Sequence, residues 1–169
     1  YRRQRQMCIR DSYNSASTFD RTGKKLAHFR KIQLWGAIEQ SIFNFGDSYV
    51  TFELAGIKTG LLICYDVEFP QHVRARAQMG VQLILVPTAN PKKFSVVCDT
   101  LVPARASENA LTIVYANYCG SDNGLSFCGK STIVGPDAKP LASAGGNEEN
   151  LLIANLNSLN KIEKTLLST

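Results

Sequence analysis

A thiol stands at residue 64, where the apolar run IKTGLLIC (57–64) gives way to the polar stretch YDVEFP (65–70). A run of that kind reads as a strand buried on both faces, and Pro70 suits the first turn of a helix. Cys64 therefore falls on a strand-to-helix turn. In α/β folds, ligands collect at the carboxyl ends of parallel strands. A nucleophile on such a turn has its side chain pushed outward and backbone N–H groups beside it. Here these belong to Tyr65 and Asp66, and they could hold an oxyanion. The arrangement points to acyl transfer through sulfur. The other reading of a solitary Cys is a small, buried, inert side chain.

A thiolate at 64 would meet the negative charge of Asp66 and Glu68, so this chemistry needs a cation. Lys31, in HFRKIQLWG (28–36), stands among aromatic and apolar residues, unlike the exposed pair Lys24 and Lys25. Alone, it reads equally as a lysine snorkelling at the surface. A Cys–His pair would belong to a different enzyme class. Neither His28 nor His72 sits at a strand end, so both read as structural or surface residues. Cysteines 8, 64, 98, 119 and 128 include no CxxC pair, and His is scarce. Zinc-type spacing is therefore absent, and neither metal nor cofactor is expected. Free thiols suit a cytoplasmic protein.

The elements that must position these groups follow from pattern. Residues 13–19 read as a strand, with turn chemistry at Asp20 to Gly23. Residues 24–34 are mixed, and 37–45 form a short helix or loop. Strands are expected over 49–54 and 57–64. A helix over 70–79 stops at Gly80, and a buried strand follows at 81–87. Strand, helix, strand in about thirty residues makes a parallel βαβ unit. A second helix spans 99–109 with Asp99 as its N-cap, and a strand covers 111–118. Residues 131–134 and 140–143 flank a Gly-Pro-Asp turn as a hairpin. A last strand occupies 151–156, and a C-terminal helix or arm starts at 157. No repeat or linker divides the chain, so it reads as one α/β domain.

Composition excludes other classes. The 169 residues are 44% hydrophobic and 20% charged, enough for a core. No apolar run has the roughly 18 residues of a membrane span. The net charge of +5 lies mostly in residues 1–12, which hold four Arg and one Asp. A nucleic-acid surface would spread its charge over a folded face, so no nucleic-acid partner is expected. YRRQRQMCIRDS lacks an apolar signal core. It reads as a non-native leader, leaving 13–169 as the C-terminal part of a single domain.

Seven stretches, in order, resemble the nitrilase or carbon–nitrogen hydrolase superfamily. They are FRKIQLWG (29–36), Glu39 with FNFGD (43–47), GLLICYDVEFP (60–70), LILVPTAN (83–90), RASENALTIVYAN (105–117), GKSTIVGPDAKPL (129–141) and LLIANLN (151–157). CYDVEFP and LWG most resemble amidases of small aliphatic or amino-substituted amides. The resemblance implies an αββα sandwich, incomplete here at the N-terminus, whose subunits pair into a homodimer or larger homo-oligomer through outer helices. It implies a Glu–Lys–Cys triad that hydrolyses a small amide, or in some members a nitrile, through a thioester. Carried over, Cys64 is the nucleophile, Lys31 and the Tyr65 N–H stabilise the oxyanion, and Glu39 orients substrate and lysine. Asn90, at another strand end, lines the pocket. Arg105, Glu108 and Asn109 are read as structural.

One departure matters. The family's general-base Glu lies near a Phe-Pro-Glu stretch, and none precedes Lys31. Glu53 and Glu68 stand in the wrong motifs to replace it. The chain alone is thus expected to be nearly inactive. The rival expectation is a non-catalytic α/β interaction module.

Overall fold

The computed structural model describes residues 12–156. The leader (save Ser12) and the C-terminal helix expected from 157 lie outside the described residues. The chain opens with a hairpin, β1 (Ser15–Phe19) against β2 (Lys25–Arg30). Its turn is closed by Asp20, whose carboxylate accepts the N–H groups of Thr22 and Lys24 at 2.8 and 3.0 Å, as Asp does in Asx turns. The second strand, unassigned in the mixed stretch 24–34, alternates cleanly. Ala27 and Phe29 are buried while His28 and Arg30 are exposed, which is the period of a half-buried strand.

A six-stranded mixed sheet forms the centre, in the order β10-β9-β6-β5-β4-β3. β3 (Thr51–Leu54) and β4 (Ile57–Leu61) make a tight antiparallel pair. β4 then runs parallel to β5 (Leu83–Thr88), and β5 parallel to β6 (Thr112–Asn117). Such neighbours need crossovers. After α1 (Gly36–Ile42), which precedes the sheet, these are α2 (Pro70–Gln78) and α3 (Val102–Glu108). The two short strands β7 (Ser121–Asp122) and β8 (Leu125–Ser126) pair only with each other. β9 (Thr132–Val134) and β10 (Pro140–Ser143) form the hairpin read from Gly-Pro-Asp, with β9 laid antiparallel on β6. Leu83, Ile84, Val86, Ile113 and Tyr115 are all nearly inaccessible, as strands covered on both faces require.

Three expectations change. The second helix begins earlier, because a π-helical turn at Val97–Leu101 runs directly into α3. Asp99 is therefore inside the helix and pairs with Lys130 at 2.8 Å instead of capping. Residues 151–156 form no strand, and Leu151 and Ile153 are exposed. β4 stops at Leu61, and Leu62 and Ile63 continue buried into the turn.

Candidate active site

Because β4, β5 and β6 are parallel, their carboxyl ends share one edge of the sheet. A cavity of about 620 Å³ opens there, lined by Cys64, Thr88, Asn90 and Asn117 from these strand ends, and by Lys31, Glu39 and Glu68. Cavities of this size suit small molecules.

Cys64 opens a five-residue 3₁₀ helix, Cys64–Glu68. Its φ is +47°, a left-handed conformation that costs a β-carbon residue roughly 1–2 kcal/mol and that collects at functional sites. The first turn bond runs from the Asp66 N–H to the Ile63 carbonyl at 3.1 Å. The Asp66 N–H, one of the two oxyanion donors expected, is thus committed. The N–H groups of Cys64 and Tyr65 precede that bond, where a helix start offers no acceptor. The Tyr65 ring does not line the cavity and meets Phe69 edge-on, with centroids 4.9 Å apart.

Lys31 immediately follows β2 and is 1% exposed, so it is no snorkelling surface residue. Its backbone is held on both sides. Its N–H donates to the Asn14 carbonyl at 2.8 Å, and its carbonyl accepts the Gly46 N–H at 2.7 Å. Gly46 belongs to the FNFGD stretch, and a β-carbon there would collide with the Arg30 carbonyl. The close approach that clamps Lys31 therefore demands glycine. The Lys31 ammonium donates to both Glu39 oxygens, at 3.0 and 2.7 Å. Glu39 also accepts from the Asn14 amide at 3.0 Å and the Trp35 N–H at 2.6 Å. Glu39 sits in the first turn of α1, where a carboxylate is favoured by the helix dipole.

Asn90 lines the cavity but turns its NH₂ away. That group donates to the Phe94 carbonyl at 2.9 Å and faces the Cys98 and Cys128 sulfurs. These two thiols are buried, and burial beside Cys128 pushes Cys98 up to about 12. Both His lie off the cavity. His28 is exposed on Ser17, while His72 is buried between Gln33 and Tyr49. Arg105 fastens the Glu68 carbonyl at 2.8 Å and pairs with Glu108, while Asn109 reaches back to the Arg105 carbonyl. These are structural contacts.

Two acidic residues take places that the sequence alone does not show. Glu68 lines the cavity, and burial raises its pKa. From sequence the Asp66 carboxylate reads as unwelcome charge near the thiol. It is wholly buried, and its oxygens accept backbone N–H groups of Ile32, Gln33 and Ile63. Desolvation raises its pKa, opposed by those bonds and by Lys31 and Arg76. Among the described residues no cluster of His, Cys, Asp and Glu could hold a metal ion, and no helix is long and apolar enough to cross a membrane.

The family model described as carbon-nitrogen hydrolase matches residues 2–163. An (R)-stereoselective amidase from a Pseudomonas species is 40% identical over 137 residues, covering 80% of this chain and 49% of its own length. A protein described as a hydrolase in the pqqF 5′ region of Pseudomonas protegens is 44% identical, over 80% of this chain and 48% of its own. Among solved structures, a variant of an amidase from a Nesterenkonia species superposes with a TM-score of 0.77 at 44% identity, covering 79% of this chain and 53% of that one. That structure shows acrylamide joined to the active-site cysteine by Michael addition. The chain spans about half the length of the curated relatives it matches. The likeness carries the αββα sandwich, of which the described residues supply one six-stranded sheet, a hairpin and their helices. By the match of its model and the identity of its relatives, this chain belongs to the carbon–nitrogen hydrolase family.

Proposed function

We propose that this chain carries the thiol half of an active site that hydrolyses a small amide to a carboxylate and ammonia. The observation that carries the reading is the strained Cys64 sharing one cavity with the buried Lys31 and its half-buried partner Glu39. Sulfur of Cys64 attacks the amide carbon, the carbonyl π bond opens, and an S–C bond forms. The oxyanion is met by the Lys31 ammonium and the Tyr65 N–H. Such donors, preorganised in a site shielded from water, supply much of a rate enhancement. Collapse breaks the C–N bond, and ammonia leaves carrying the proton given up by the Cys64 thiol. Water then attacks the thioester, releasing the acid and restoring the thiol. Glu39 aims the lysine through both of its oxygens.

The general base expected ahead of Lys31 has no match in these motifs. Its loss costs roughly 10²–10⁴ in rate, so the 169 residues alone turn over slowly. The substrate class is supported by amidase relatives and by a related amidase solved with butyramide. The subunit is read as pairing with a second copy through outer helices, which the mass in solution tests.

The test joins a homologous N-terminal segment to this chain, supplies butyramide and assays ammonia. Release of ammonia that disappears in Cys64→Ala supports the mechanism. Release unchanged in Cys64→Ala overturns it.

A further inference from the structure

We propose that Asp66 is a positioning residue of this site, whose carboxylate ties the backbone carrying Lys31 to the backbone carrying Cys64. Oδ1 accepts the N–H groups of Ile32 at 3.1 Å and Gln33 at 2.7 Å, the two residues after Lys31. Oδ2 accepts the N–H of Ile63 at 3.0 Å, the residue before Cys64. The two segments belong to different sheets. β2 pairs only with β1, and β4 pairs with β3 and β5, so no strand ladder fixes one segment against the other. A neighbouring tie, Gln33 to His72 at 3.0 Å, runs to α2 and not to the Cys64 turn.

A dry carboxylate is costly unless its oxygens are well bonded. Asp66 has no ion-pair contact within 4 Å among the described residues, though Lys31 and Arg76 lie near enough to favour its charge. Three convergent N–H donors, each strengthened by the charge, are what hold it. A rigid link between nucleophile and cation matters because a small misplacement of reacting groups costs rate heavily. Nothing in this assignment requires Asp66 to touch substrate.

The inference rests on the amidase reading, since Asp66 acts only through Lys31 and Cys64. The titratable groups that line the cavity with Cys64 are Lys31, Glu39, Glu68 and Tyr118, and Tyr115 from β6 lies near enough to interact with the thiol. The readout is the rate of iodoacetamide attachment at Cys64, followed by peptide mass and expressed as the ratio of rates at pH 7 and pH 10. Asp66→Asn keeps the shape but offers one oxygen, so its NH₂ must face one set of donors and cut that side of the tie. The expected result is a ratio at least about five-fold below wild type, close to that of Lys31→Met, with the far-ultraviolet dichroism unchanged. A folded Asp66→Asn with the wild-type ratio overturns the proposal. If that variant does not fold, replacing Gln33 by its α-hydroxy acid deletes one N–H and leaves Asp66 intact. A reduced ratio then supports the proposal, and an unchanged one overturns it. Equal ratios in wild type and Lys31→Met would sink the amidase reading and this inference together, whereas a fall in Lys31→Met without one in folded Asp66→Asn sinks the inference alone.

Discussion

The Lys31 ammonium, 1% exposed, is held by both carboxylate oxygens of Glu39, eight residues away on another element. A lysine so deeply buried would ordinarily carry a large desolvation penalty. The bidentate partner, itself bonded to Asn14 and Trp35, keeps it tolerable.

Removing only the anion strands the cation. Glu39→Gln should lower the unfolding free energy by roughly 3 kcal/mol, read by urea denaturation. The double variant Lys31→Met with Glu39→Leu should recover much of that loss. A double variant less stable than Glu39→Gln would show that the pair itself stabilises the fold.

Gly46 should tolerate no side chain. Its N–H bonds the Lys31 carbonyl, and a β-carbon would strike the Arg30 carbonyl. Gly46→Ala is expected to cost about 1–3 kcal/mol, as overpacking does. The same change at Gly124, whose surroundings are open although its φ is +79°, should cost less. Urea midpoints for the two variants make the comparison.

The left-handed Cys64 sets stability against chemistry. Cys64→Gly relieves the β-carbon strain at φ +47°, so it should be more stable than Cys64→Ala by about 1 kcal/mol. Both variants lose the thiol. Equal thermal midpoints would mean that the turn is not strained at this residue.

His72 should make the fold acid-sensitive. Burial, and secondly the nearby Arg76, lower its pKa below the ordinary 6.5. The unfolded chain therefore binds a proton more readily than the folded one. Stability from this group is full above about 6.5 and falls as pH drops through the lowered folded value. His72→Gln should flatten the dependence of the urea midpoint between pH 7.5 and 5. An unchanged slope would remove His72 as the cause.

Much of this was legible in the sequence. The strands at 57–61, 83–88 and 112–117 follow from short apolar runs, and the helix from 70 follows from Pro70 and Gly80. Cys64 was placed at a strand-to-helix turn by the same local signals. β2 was less visible, because KLAHFR mixes charged, apolar and aromatic residues and its burial alternates only from Ala27 to Arg30. The stretch 151–156 departs from its reading: LLIANL has strand composition, but these residues form no strand. Asp99 carries the residue type of a cap, yet the helix had already begun before it.

Periodicity and turn chemistry are properties of neighbours in sequence, so the sequence by itself determined the order of strands and helices and the turn that presents Cys64. Whether Asp66 opposes the thiol as stray charge or anchors two segments depends on the N–H groups of Ile32 and Gln33, more than thirty residues away, which only packing brings to 3.1 and 2.7 Å. The same holds for the burial of Lys31, the bidentate grip of Glu39 and the entry of Glu68 into the cavity. Electrostatic and hydrogen-bond effects act through space, and that distance is decided by the tertiary structure.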